Sequence, residues 1–188
     1  EAAFDRVIDS TGLAAFGLYH KALGRAVAGD FEGAAELFEG SGAAAIGQTR
    51  RGAIAHVQIL SRLGRTDEAL ALIEERFGPA PGPAVDQMRA RLDAGETVAF
   101  DVVTGPAEGM GEVFYTVARA LEGEAADTYT LLYSRTAEAL DPTHIDAILL
   151  SAGLLEGLGR YDLATLAYNR VPRTHPSFYV AEMGRAEA

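Results

Sequence analysis

The stretch Leu155-Glu156-Gly157-Leu158-Gly159-Arg160-Tyr161-Asp162-Leu163-Ala164-Thr165-Leu166-Ala167-Tyr168 holds a helix stop, a helix start and a packing face in one place. Gly159 stands where a first helix must end, because only glycine takes the left-handed conformation after a helix without steric cost. Ala164 follows five residues later and Tyr168 four after that, which puts a small and a bulky side chain on one face of the next helix. The same arrangement occurs at Gly29-Asp30-Phe31 with Ala34 and Phe38, and at Gly64-Arg65-Thr66 with Ala69 and Ile73. A small residue beside a bulky one lets two helices approach closely and interlock. The pattern predicts an all-α chain built of helical hairpins.

The upstream helices keep one register. Leu18 and Ala22, then Ala53, Val57 and Leu60, then Phe114, Ala118 and Leu121, then Ile148, Ala152 and Leu155 fall at i, i+4 and, in all but the first, i+7. Arg25 breaks the first set. Ala34 and Ala69 lie 35 residues apart, close to the 34-residue unit of helix-turn-helix repeats.

On these residues the chain resembles the tetratricopeptide repeat, with Ile148 to Pro176 the best match. The resemblance implies an α-solenoid of antiparallel helix-turn-helix repeats, one domain over 1–188 with hairpins at about 13–42, 46–78, 109–142 and 143–176. The third unit departs from the pattern, with Ala125 at the turn glycine and Thr130 at the small alanine, so its crossing is expected to be looser or shifted. From Ala69 to Ala164 is 95 residues, 27 more than two repeats, which places an insertion at about 83–108. There Val85 to Leu92 reads as a short helix ended by Gly95, and the β-branched and aromatic run Thr97 to Thr104 as an extended connector before Gly105-Pro106. Two readings of the insertion are open: an unpaired helix and connector covering the solenoid, or a strand-like segment lying across a binding groove. Ala3 or Phe4, Val7 and Gly12 at one end, and Phe178 to Ala188 at the other, read as half hairpins, so the chain is expected to be a piece of a longer protein with ends open to self-association. The layout, with Arg50-Arg51 and Phe100-Asp101-Val102-Val103, resembles large tetratricopeptide-repeat proteins of alphaproteobacteria. That likeness brings architecture and little chemistry.

Composition narrows the function classes. The 188 residues are 48% hydrophobic and 23% charged, enough apolar material for a continuous core. A net charge of -11 with Lys21 the one lysine argues against a nucleic-acid partner, which needs clustered cations. The chain has no run near 18 apolar residues, which implies no membrane insertion, and no signal peptide opens it. It reads as soluble, with cytoplasm and periplasm both open. The absence of cysteine excludes thiolate chemistry.

Catalysis has no motif here. His20, His56, His144 and His175 stand more than 30 residues apart, with no ligand-spaced pair for a metal. Gly105-Pro106 and Gly109-Met110-Gly111 lack the Lys-Ser/Thr of a phosphate loop, so no cofactor is implied. Ser41, Ser61, Ser134 and Ser151 have no activating neighbours in sequence, and the acidic pairs Glu74-Glu75 and Glu122-Gly123-Glu124 fit solvated faces. The chain is therefore expected not to be an enzyme.

The polar residues that suggest recognition lie on the first helices. Arg51, Ile54, Gln58 and Arg62 form one stripe, flanked by Tyr19 and Leu23 on one neighbouring helix and Tyr115 and Arg119 on the other. Arginine and tyrosine offer broad contact with directional hydrogen bonds, and the stripe would hold a protein or peptide, specifically an acidic segment or free carboxylate. The competing reading pairs these arginines with Glu68, Asp67 or other acids of the chain. Some relatives clamp a partner's terminal carboxylate with lysines and asparagines. Tyr19, Leu23, Ile54 and Gln58 stand on those faces here, so that clamp is not implied.

Overall fold

The computed structural model describes residues 2–40 and 49–187, and among them there are eleven α-helices and no strand. In chain order they are α1 (Ala2–Ile8), α2 (Ala14–Val27), α3 (Phe31–Glu39), α4 (Arg50–Arg62), α5 (Thr66–Phe77), α6 (Pro83–Asp93), α7 (Pro106–Leu121), α8 (Asp127–Leu140), α9 (Ile145–Gly157), α10 (Tyr161–Tyr168) and α11 (Phe178–Glu187). The expected start of the fourth helix near residue 46, and Ser41, lie outside the described residues. No helix among the described residues is long and apolar enough to cross a membrane. The chain forms two compact units, Glu1–Gly105 and Pro106–Ala188, which divide at the Gly105-Pro106 break.

Four helices stop in the same way. Gly29, Gly64, Gly95 and Gly159 have φ between 68° and 86°. Just beyond each, an amide turns back to the carbonyl five residues earlier: Asp30 N to Arg25 O, Arg65 N to Leu60 O, Glu96 N to Arg91 O and Arg160 N to Leu155 O, all at 2.8–3.0 Å. These bonds satisfy carbonyls that the helix end would otherwise orphan. Helix starts are made by side chains. Asp30 accepts from Gly33 N at 2.9 Å to open α3, Thr49 from Gly52 N at 3.0 Å to open α4, and His144 Nδ1 from Ala147 N at 3.2 Å to open α9. In the sequence the Asp141-Pro142 pair reads as a helix start, but Asp141 instead ends α8 and accepts from the Thr143 amide and hydroxyl at 2.9 and 2.7 Å. Its short carboxylate closes a local turn, and the helix begins only after His144.

In the first unit α2 packs on α3, α4 on α5 and α5 on α6. Ala34 and Ala69 are fully buried at these crossings. One core gathers Tyr19, Leu23, Phe38, Ile59, Val102 and Val103; another gathers Val57, Leu60, Ile73, Val85, Leu92 and Val98. The inserted helix α6 is thus a packed partner of α5, with Val85 and Leu92 sealed in the α4/α5 core. It stops at Gly95 as a first helix does, but the β-branched run after it forms no second helix.

In the second unit α7 packs on α8, α8 on α9, α9 on α10 and α10 on α11. The turn glycine between α7 and α8 is Gly123, with φ 78°, so Ala125 needs no left-handed conformation. Thr130 and Ala164 are fully buried. Ile148, Ala152, Leu155 and Tyr168 form the apolar core, and the Tyr168 ring lies against Gly184 of α11, where a side chain would collide with it.

Candidate functional site

The segment 97–104, which is neither helix nor strand, lies across the polar face of α4. Val98 N donates to Ser61 Oγ at 2.8 Å. Asp101 and Gln58 are joined twice, Asp101 N to Gln58 Oε1 at 3.0 Å and Gln58 Nε2 to Asp101 Oδ1 at 2.6 Å, while Arg51 Nη2 donates to Val102 O at 3.3 Å. Three side chains of one helix therefore hold main-chain groups at positions 98, 101 and 102. Val102 and Val103 insert beside Tyr19 and Leu23, and Phe100 meets Phe31 edge to face at 6.2 Å. Burying valines of this kind contributes about 1.5–3 kcal/mol each, against about 1 kcal/mol net for each hydrogen bond. Apolar insertion holds the segment, and the polar bonds set its register.

The candidate residues of the first unit are placed accordingly. Tyr19, Leu23 and Gln58 are buried, Ile54 and Arg51 are half-buried, and Arg62 is exposed with its guanidinium 5.2 Å over the Phe31 ring. Glu68, offered as a partner for the stripe, pairs instead with Arg65, which also pairs with Glu39. Sequence reasoning missed Ser61 as part of this surface. Its signal is present, since Ser61 follows Gln58 by three residues on the same helical face.

Tyr115 and Arg119 belong to the second unit, on α7, where they follow Phe114 and Ala118 as Ile54 and Gln58 follow Ala53 and Val57. There the corresponding surface is a cleft of about 530 Å³. Its apolar wall is Tyr115, Leu149, Leu150 and Leu154, and the exposed Gly153 also lines it. Its charged rim is Arg119 with Glu122, Asp127 and Asp146; Arg119 is exposed and ion-paired with Glu122. On α9 the register places Asp146 where α4 has Arg51, and Gly153 where it has Gln58. The basic stripe of α4 is acidic here.

Buried polar groups in both units serve the fold. Glu112 and His144 side chains are each 1% exposed, with His144 Nε2 3.0 Å from Glu112 Oε2. Because Nδ1 accepts from the Ala147 amide, Nε2 carries the hydrogen and donates to the carboxylate. Ser134 Oγ donates to Ala147 O at 3.0 Å, which leaves Ser151 to donate to Ser134 across 2.7 Å. Two arginines, Arg135 and Arg170, converge on buried Glu138. His20 packs against Phe16 and Tyr19, and His175 Nδ1 accepts from Ser177 N at 3.1 Å. His56 stacks on Phe38 at 4.8 Å, and burial pushes its pKa down to about 4 against the weaker pull of Glu39. No three His, Asp or Glu residues among those described converge as a metal-ligand set. The sequence could not announce the Glu112–His144 or Ser134–Ser151 pairs, since each joins separate helices without a spacing motif.

No family model matches this chain, and no curated protein matches it at a significant level.

Proposed function

We propose that the chain is a noncatalytic protein-interaction module, a tetratricopeptide-like α-solenoid whose first-helix faces hold extended polypeptide. The observation that carries this reading is the seating of segment 97–104 on α4, where Arg51, Gln58 and Ser61 bond its main chain and apolar side chains fill the space beside them. Contacts to main chain tolerate many side-chain sequences, which suits a surface for unfolded segments. The partner is a protein or peptide. The acidic partner implied by the arginine stripe fits poorly, since Arg51 is engaged by Val102 O, Arg62 by Phe31 and Arg119 by Glu122. The test is a display selection of random linear peptides on the intact chain, followed by binding measurements on synthetic copies. Saturable, micromolar, helix-face-dependent peptides are expected.

A second reading is a packing segment that stacks on further helices of its own chain or on another copy. Tyr179, Val180 and Met183 favour it, being 71%, 56% and 49% exposed on α11. A selection that enriches no peptide, combined with a scattering mass that rises with concentration, would establish this reading and remove the first.

A further inference from the structure

We infer that the α4 face is a peptide site closed by the chain's own segment 97–104, and that a linear partner peptide of the same pattern displaces that segment. The pattern is an apolar residue at the place of Val98, a hydrogen-bond acceptor at Asp101 and β-branched residues at Val102 and Val103. The inference rests on the interaction-module reading and adds the partner's chemistry and the control of access. The segment is held as a ligand is held. Among the described residues its main chain from 97 to 103 makes no hydrogen bond to other main chain, and its polar contacts all come from side chains. Ser61 and Gln58 of α4 accept from the amides of Val98 and Asp101, Arg51 donates to Val102 O, and Arg91 of α6 donates to Thr97 O at 3.2 Å. None of these bonds needs the segment to be covalently joined to α6, so a separate peptide makes the same set. The apolar contacts are equally portable: Val98 packs beside Val57 and Leu60, and Val103 beside Tyr19 and Leu23.

One contact reads side-chain identity. Gln58 Oε1 accepts from the Asp101 amide, so Nε2 is the end of the carboxamide that faces the Asp101 side chain, 2.6 Å from Oδ1. That position takes an acceptor, which aspartate and asparagine supply and lysine and arginine do not. The ends of the segment permit exchange. Gly95, with φ 75°, precedes it, and the Gly105-Pro106 break between the units follows it. Because the segment belongs to no helix or strand, its departure breaks no helical hydrogen bond. A tethered occupant acts at an effective concentration on the order of millimolar, which keeps the site mostly closed. The apparent affinity of a free peptide is then reduced by the fraction of open sites.

The probe is a capped synthetic copy of residues 97–104, beside a second copy carrying Asp101→Lys. Two variants of the intact chain loosen the tethered segment and leave α4 unchanged. Val103→Ala removes buried apolar volume, and Asp101→Ala, at an exposed position, removes only the side-chain link to Gln58. The peptide is expected to bind Val103→Ala saturably, at least tenfold more tightly than wild type, and to raise the melting midpoint of that variant while leaving wild type's nearly unchanged. Asp101→Ala should show a smaller gain, about threefold, and decides the matter if Val103→Ala does not fold. The lysine copy should bind at least tenfold more weakly, and adding Gln58→Ala to Asp101→Ala should abolish the gain. A peptide that binds neither variant overturns the inference and leaves segment 97–104 a fixed part of the fold. Equal binding to wild type and both variants also overturns it, since the peptide then sits elsewhere, as does indifference to Gln58→Ala. If the display selection yields peptides whose binding ignores both loosening variants, the module reading stands and this inference falls. If the selection yields none and the copy of 97–104 binds none of the proteins, both fall.

Discussion

The polar face of α4 is filled by the protein's own chain, whereas the matching face of α7 and α9 is a cleft. Both are built in one register: Ala53, Val57 and Leu60 inward on α4, Ile148, Ala152 and Leu155 inward on α9, all six buried. The filling segment itself arises from the residues just past a turn glycine, Gly95. After Gly159 comes Tyr161-Asp162-Leu163-Ala164, a helix-forming run that becomes α10. After Gly95 comes Thr97-Val98-Ala99-Phe100, whose β-branched and aromatic residues favour an extended path. An extended segment cannot satisfy its own main chain, so Ser61, Gln58 and Arg51 do so. A helical one, such as α5 after Gly64 or α10 after Gly159, needs no such help.

The largest expected effect comes from expelling the internal occupant. Val103 is 2% exposed in the core with Tyr19 and Leu23, and Val103→Asp would bury a carboxylate with no partner. A loss of about 3 kcal/mol or more in denaturant melts is expected. Leu150→Asp, at the half-buried wall of the cleft, should cost within about 1 kcal/mol, as surface changes do. Equal losses at the two sites would erase the distinction between a filled face and an open one.

Each unit also holds a histidine within its packing, His144 buried and His56 half-buried, and these differ in the same sense. Both ring nitrogens of His144 are bonded, whereas His56 Nε2 makes no hydrogen bond and stands 4.0 Å from Glu39. Arg65 and Arg76 nearby add to the burial that opposes its charge. With a folded pKa of about 4 below the ordinary 6.5, the unfolded chain takes up the proton first as pH falls. Stability is therefore full above pH 6.5 and is lost progressively between 6.5 and 4, by at most about 3 kcal/mol from this group. His175, also lowered by burial, acts in the same direction. Denaturant titrations of wild type and His56→Phe at pH 7.5, 5.5 and 4.5 measure the effect. The phenylalanine variant should gain on wild type as pH falls, and parallel profiles would contradict this assignment.

The sequence discloses the local features of the fold. Turn glycines, the close-packed alanines and most helix limits depend on residues within one helical turn of each other, so Gly64, Ala69 and the span Thr66–Phe77 are found where the spacing puts them. Asp141 escapes the reading because Asp-Pro-Thr-His offers two acceptors for a helix start, and His144 takes the role by also reaching Glu112, 32 residues away. The α4 stripe is visible in the sequence as a polar face, but its occupant is not. Gln58 and Asp101 are 43 residues apart, and no periodicity connects a helix to an extended segment. The cleft is likewise formed by α7 and α9 together, and neither helix alone shows it.

A smaller effect is expected for the bond that sets the occupant's register. Gln58→Ala removes both links to Asp101 and leaves a main-chain amide unpaired in a part-buried site, so a loss of about 1–2 kcal/mol is expected. Hydrogen exchange at Asp101 should accelerate while exchange in α9 and α10 stays unchanged. Unaltered exchange at Asp101 would show that valine insertion alone fixes the segment.

The smallest effect is a gain, and it bears most directly on the open face. Gly153→Ala adds one methyl group to a helix interior at a place with no neighbour within 4 Å, so it neither overpacks nor buries polar surface. Alanine loses less backbone freedom on folding than glycine, and the variant should be stabler by about 0.5–1 kcal/mol. The corresponding change on α4, Gln58→Ala, is expected to destabilise, so one register position should give opposite signs in the two units. If Gly153→Ala instead lowers stability, the second unit already uses that space for its own packing. The two faces would then differ only in which part of the chain fills them.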